Sequence, residues 1–256
     1  RADHDSGNFF LADTAPRFAA EFSSELPPLA DLESQLAVYT KKLSNDLEDL
    51  QINPNFSDGV ESLYRDANIY LLLTMAIAMS PDESPVKSSA EPRILAAQKL
   101  AAVTNLKEAK AAYAELLAAE KLTGNPIVAW SKVAHLSPIM KKGLPAMSTE
   151  IKRLTRNEKT FTRPNNAEKV IGASAALAVI ALGSRPNVAE TLAPNEEALW
   201  QEYCDHLHAV ALALNKTAHA VQEGTRSFAD LTAAFHDVDA TCNTTCHEKF
   251  GGTVTP

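Results

Sequence analysis

The sequence predicts an all-α protein made of two tandem up-down four-helix bundles. Three observations carry that expectation. Alanine is abundant and β-branched runs are scarce, which favours helix. Apolar residues recur in three-four steps along most of the chain, the stripe of amphipathic helices. The helical programme of the first half then recurs in the second. At 256 residues the chain is long enough for two cores of ordinary domain size.

Residues 1–28 are expected to form an irregular N-terminal arm, because Asp5, Ser6, Gly7 and Asn8 favour turns and Pro16, Pro27 and Pro28 break regularity. Its Phe9, Phe10, Leu11, Phe18 and Phe22 should pack it as a lid on the first bundle. A first helix starts at Leu29 and carries Leu32, Leu36, Tyr39, Leu43, Leu47 and Leu50. A second, capped by Ser57 or Asp58, runs to about Met79, and Ile69 to Met79 is apolar all round and so buried. After a loop at 80–85, helices are expected over about Glu91–Val103 and Leu106–Lys121, closed by Gly124-Asn125-Pro126.

In the second half, Ile127 to His135 is expected to form a connecting helix or the start of a longer one. Ser137 as N-cap and Pro138 at the first position should open the next helix, with the stripe Met140, Leu144, Met147, Ile151, Leu154. An Ala-rich helix spans about Ala167–Leu182, a long one about Asn195–Gln222, and the last about Ser227–Lys249. Leu32, Leu36, Tyr39 and Leu43 match Met140, Leu144, Met147 and Ile151 at a constant offset, and Ala111-Ala112-Tyr113 matches Ala233-Ala234-Phe235. The expected domains are therefore the arm 1–28, a first bundle 29–125 and a second bundle 126–256.

The stretch with the clearest chemistry is Cys242-Asn243-Thr244-Thr245-Cys246-His247. Two cysteines followed at once by histidine suit covalent haem c. The thiols form thioethers with the ring, and the adjacent imidazole binds iron. Three residues separate the cysteines instead of the usual two. A Cys242–Cys246 disulfide is an alternative, but a helical i, i+4 pair sits about 5–6 Å apart at Cβ and a disulfide wants about 3.8 Å. A zinc site of Cys242, Cys246 and His247 would need a fourth ligand. At the matching positions the first bundle has Glu120, Gly124 and Asn125, so one haem per chain is expected.

In this arrangement the chain resembles the cytochrome c-prime family, the four-helix-bundle class II c-type cytochromes. They carry Cys-x-x-Cys-His in the last helix, often followed by an acidic residue and an aromatic, as in Glu248 and Phe250 here. The resemblance covers about 137–251 as a haem domain and 29–125 as a haem-free copy. Three departures stand out: the extra residue in the motif, Gly251 where the family often has Arg or Lys, and the duplication. The family is usually a single bundle that pairs with another chain, a pairing the second bundle could supply internally. The resemblance implies a proximal His247 and a distal side lined by the first helix of the haem bundle. There Met140 is the expected sixth ligand, with Met147 two turns on as the alternative. Both methionines also suit plain core packing.

The leading expectation is an exported, periplasmic monohaem cytochrome that carries single electrons to or from a redox partner protein the sequence does not identify. The alternatives are a five-coordinate haem protein that binds a small diatomic gas, and a helical scaffold without haem. Export follows from the haem reading, with the polar start Arg1-Ala2-Asp3-His4 as a mature end after cleavage. The net charge of −8 argues against nucleic acid and suits a basic partner. The apolar run Val170 to Gly183 is shorter than the roughly 20 residues a bilayer needs, so no membrane span is expected. No nucleophile-base set, phosphate loop or di-iron Glu-x-x-His pattern is present, so no catalytic residue and no enzymatic activity are expected. Cys204 is expected as a small core residue, His206 and His208 as surface or boundary residues, and Trp130 and Trp200 as packing residues. His236 and His135 are further candidates for the haem surroundings.

Overall fold

A computed structural model describes residues 26–52, 55–187 and 196–242. Among them there is helix and irregular chain but no strand. The first half holds α1 (Leu29–Ile52), α2 (Phe56–Met79), a 3₁₀ turn (Lys87–Ser89), α3 (Ala90–Leu100) and α4 (Leu106–Ala119). The second holds a helical turn Leu136–Pro138, a π-helical segment Ile139–Gly143, α5 (Leu144–Leu154), the short α6 (Glu158–Phe161), α7 (Asn166–Ser184), α8 (Glu197–Gln222) and α9 (Phe228–Asp239).

The stripes do what their period dictates. Leu32, Leu36, Tyr39, Leu43, Leu47 and Leu50 of α1 are all buried, and of the expected buried run Ile69–Met79 in α2 every residue is buried except Ala78 and Met79, which are half-buried. At about 1.5–3 kcal/mol for each large apolar side chain, this burial outweighs exposed pairs such as Lys99–Glu115 at 2.6 Å, worth at most about 1 kcal/mol. Asn105 caps α4 by accepting from the Glu108 N–H at 3.0 Å, and Glu108 accepts in return from the Thr104 N–H at 2.8 Å. At α9 Ser227 and Asp230 form a reciprocal capping box.

Within the first half α1 packs on α2, α2 on α3, α3 on α4, and α4 returns to α1. In the second half α5 packs on α7, α7 on α8, α8 on α9, and α9 returns to α5. The two halves meet where α1 and α2 lie on α7 and where α2 meets the segment before α5. The buried apolar residues form one contiguous cluster across this seam. Gly172 permits the close approach of α1 to α7, since a Cβ there would fall 1.9 Å from Gln35 Nε2. Asp31 of α1 is tied to α8 across the same seam. Its Oδ2 accepts from Asn215 Nδ2 at 3.0 Å and lies 2.8 Å from His219 Nε2.

Several boundaries differ from expectation. No helix forms over 122–135. The backbone there is held by side chains from both halves instead. Asn187 Oδ1 accepts from the Val133 and Ala134 N–H groups, Asn68 Oδ1 accepts from the His135 N–H, and Gln98 donates to the Val133 carbonyl. The next helical turn starts at Leu136 with His135 as N-cap, so Ser137 and Pro138 sit inside the first turn. α2 starts at Phe56 after Asn55, one residue before Ser57. His208, expected as a surface or boundary residue, is buried with Nδ1 3.2 Å from the Ala178 carbonyl oxygen. The arm 1–25 lies outside the described residues, but Leu26 packs against the core. α7 is 19 residues long and, by length and composition alone, apolar enough to cross a membrane, which the shorter run in the sequence did not suggest. Its most apolar window is 83% buried by neighbouring helices, as in the central helix of a bundle core.

Candidate functional site

The expected site joins the first and last helices of the second half. Pro145 stands just inside α5. It has no N–H to give the carbonyl of residue 141, and its ring crowds that carbonyl. The chain responds by widening: the Leu144 N–H donates to the Ile139 carbonyl, five residues back, and Ile139–Gly143 becomes π-helical. Such bulges often sit at functional positions. Met140 lies on this segment, half-buried and packed against the core, while Ile139 beside it is fully buried. Met147 is buried inside α5.

Two contacts set the register of α5 against α9. Ser148 Oγ donates to Asp239 Oδ1 at 3.0 Å, and the Phe161 ring, beyond the end of α5, lies 6.2 Å from that of Phe228 at the start of α9. The helices therefore run antiparallel. Beyond Asp239 the chain takes a π-helical turn over 240–242, which carries Cys242 half-buried against the core. Met140 and Cys242 thus lie toward the same end of the α5–α9 pair. Cys246 and His247 lie outside the described residues, and with them the rest of the haem, zinc and disulfide readings. Among the described residues no group of three or more His, Cys, Asp or Glu side chains is placed to hold a metal.

The other candidates fall as follows. Cys204 is buried, as expected of a small core residue, and the buried Trp200 donates from its indole to the Ser184 carbonyl at 2.9 Å. His206, His236 and His135 are exposed. In the first half, Glu120 pairs with Arg93 at 3.3 Å, the Gly124 N–H donates to the Ser88 carbonyl, and Asn125 donates to Glu91. The three positions that match the motif tie down loop and helix ends there.

One cluster was not anticipated. Asp46 of α1 and Asp66 of α2 lie within hydrogen-bonding reach of each other beside Tyr39 and Arg65. Arg65 Nε donates to Asp66 Oδ1 at 2.5 Å, while Oδ2 of Asp46 and of Asp66 have no partner in the structure. Burial, reinforced by the charge of Asp66, pushes the Asp46 carboxyl up to about 7 against the pull of Arg65. Burial likewise drives the Tyr39 phenol far upward. The signal was available, because 39, 43, 46 and 50 share one face of α1, which put a carboxylate in the apolar stripe.

No family model, no curated protein and no solved structure matches the chain.

Proposed function

We propose that the chain is an exported monohaem c-type cytochrome of the four-helix c-prime kind that carries single electrons. Cys242 and Cys246 would hold the ring through thioethers, with His247 and Met140 as iron ligands. When bound, haem c supplies one reversible electron between two iron oxidation states. The observation that supports this most is the register of α5 and α9. Ser148 of α5 meets Asp239 of α9, and Met140 and Cys242 both lie beyond that contact on the same side. The half-buried Met140 and Cys242 would then flank one space at the bundle end. Met140 would offer a soft thioether from a widened segment whose backbone is free of strict α-helical register.

The proposal includes two bundles related by duplication. Supporting it, each half closes in the same cycle of neighbours, and part of the last stripe coincides in burial. Ala109, Leu116 and Ala119 of α4 correspond to Leu231, Val238 and Thr241, all buried. The shared core along α1, α2 and α7 would stand in for the pairing of two separate chains.

The test is the visible spectrum of the purified, reduced protein with and without carbon monoxide, for wild type, Met140→Ala and Met147→Ala. The proposed ligation requires a low-spin six-coordinate wild type, which Met140→Ala turns five-coordinate and accessible to carbon monoxide while Met147→Ala does not. A wild type that is already five-coordinate removes Met140 from the site and favours gas binding over electron transfer.

A further inference from the structure

The end of α5 away from Met140 carries a basic cleft in an otherwise acidic protein. From 152 to 163 the sequence has Lys152, Arg153, Arg156, Lys159 and Arg163 against the single acid Glu158. Arg153, Arg156 and Arg163 line one cleft of about 360 Å³, together with Thr160, Pro164 and Asn166. The fold brings them together because α5 ends at Leu154, α6 makes one turn, and the chain re-enters at α7 within twelve residues, 154 to 166. Thr160 is anchored at the base of the cleft: its N–H donates to Asn157 Oδ1 at 2.9 Å and its carbonyl accepts from Asn166 Nδ2 at 2.6 Å.

Three features of this cleft suit an anion. Arg153 has one exposed and long ion pair, with Glu150 at 3.7 Å, and among the described residues Arg156 and Arg163 form none. The nearby carboxylate of Glu168 accepts from Gln222 at 2.8 Å and does not line the cleft. The cleft also opens at the start of α7, whose N-cap Asn165, at φ 64, makes no side-chain capping bond. The positive end of a long helix thus adds to three guanidinium groups. A single carboxylate engages one guanidinium fork, whereas a phosphate group presents tetrahedrally arranged terminal oxygens, two in a diester and three in a monoester, to several forks at once.

We propose that this cleft is a phosphate-binding site for a phosphate monoester or an anionic phospholipid headgroup. Arg153 lies thirteen residues from Met140, about 20 Å along the helix axis, so the site is separate from the haem end and does not rest on the haem reading.

The test uses the full chain. Calorimetry in low-salt chloride buffer measures inorganic phosphate and glycerol 3-phosphate. Flotation measures vesicles of phosphatidylglycerol against phosphatidylcholine. Compared with wild type are Arg156→Ala/Arg163→Ala and, as a charge-matched control, Lys152→Ala/Lys159→Ala, which removes two exposed cations that do not line the cleft. All four side chains are exposed, and unchanged melting temperatures would show intact folds. Loss of two charge-assisted contacts should weaken binding at least about tenfold in the arginine variant only. Binding of the soluble phosphates assigns a free phosphate ligand, and arginine-dependent flotation on phosphatidylglycerol alone assigns a lipid headgroup. No binding in either arm, or equal losses in the arginine and lysine variants, overturns the proposal.

Discussion

Replacing Asp46 with asparagine should stabilise the protein at pH 8 and do little at pH 4. Asp46 is half-buried beside Asp66, and its carboxyl is pushed from 3.8 up to about 7. The folded state therefore holds this proton more tightly than the unfolded chain. Its stabilising effect is fully present below about pH 4 and is lost as pH rises through about 7. A shift of that size corresponds to about 4 kcal/mol at 1.36 kcal/mol per unit. Partial exposure lets solvent screen the charge, so about 1–2 kcal/mol is the realistic figure. Asparagine keeps the shape, cannot ionise, and can donate to the unpartnered Asp66 Oδ2. Urea unfolding followed by circular dichroism at pH 4, 6 and 8 measures the effect. The variant should gain on wild type steadily from pH 4 to 8. A gain independent of pH, or a loss at pH 8, would refute the account of the two carboxylates.

Gly172→Ala should destabilise by about 1–3 kcal/mol through overpacking against Gln35, and Gln35→Ala in the same chain should recover most of it; additive losses in a double-mutant cycle would contradict the close approach. Ser227→Ala removes the capping box of α9 and should cost about 1 kcal/mol in chemical unfolding, whereas Ser227→Asp should be nearly neutral. Pro145→Ala restores the N–H missing from the first turn of α5 and should return 139–143 to regular helix, visible as slowed amide exchange over that segment. Unchanged exchange there would mean that the π-helical turn has another cause.

The helices were legible because burial follows the three-four period closely: Leu32 to Leu50 and Leu231 to Val238 are buried where the stripe puts them. The segment 122–135 was not, because its backbone donors are met by Asn68 and Asn187, which lie far away in sequence. Local pattern carries no trace of such partners. The widened turn at Met140 follows from Pro145, a local cause that the apolar stripe alone conceals. The buried state of His208 depends on the Ala178 carbonyl of the neighbouring helix, and the convergence of Arg153, Arg156 and Arg163 on the turn through α6. At the proposed haem end the sequence supplies the chemistry of Cys242, Cys246 and His247, and the structure adds that Met140 and Cys242 lie on the same side of the Ser148–Asp239 contact.

The most direct measurement of the central claim is the intact mass of the protein in denaturant, after expression in a host with haem-attachment machinery. Covalent attachment through Cys242 and Cys246 predicts the polypeptide mass plus one whole haem, falling to the bare polypeptide in the double Cys242→Ala/Cys246→Ala variant. A wild-type mass equal to the bare polypeptide would contradict the claim.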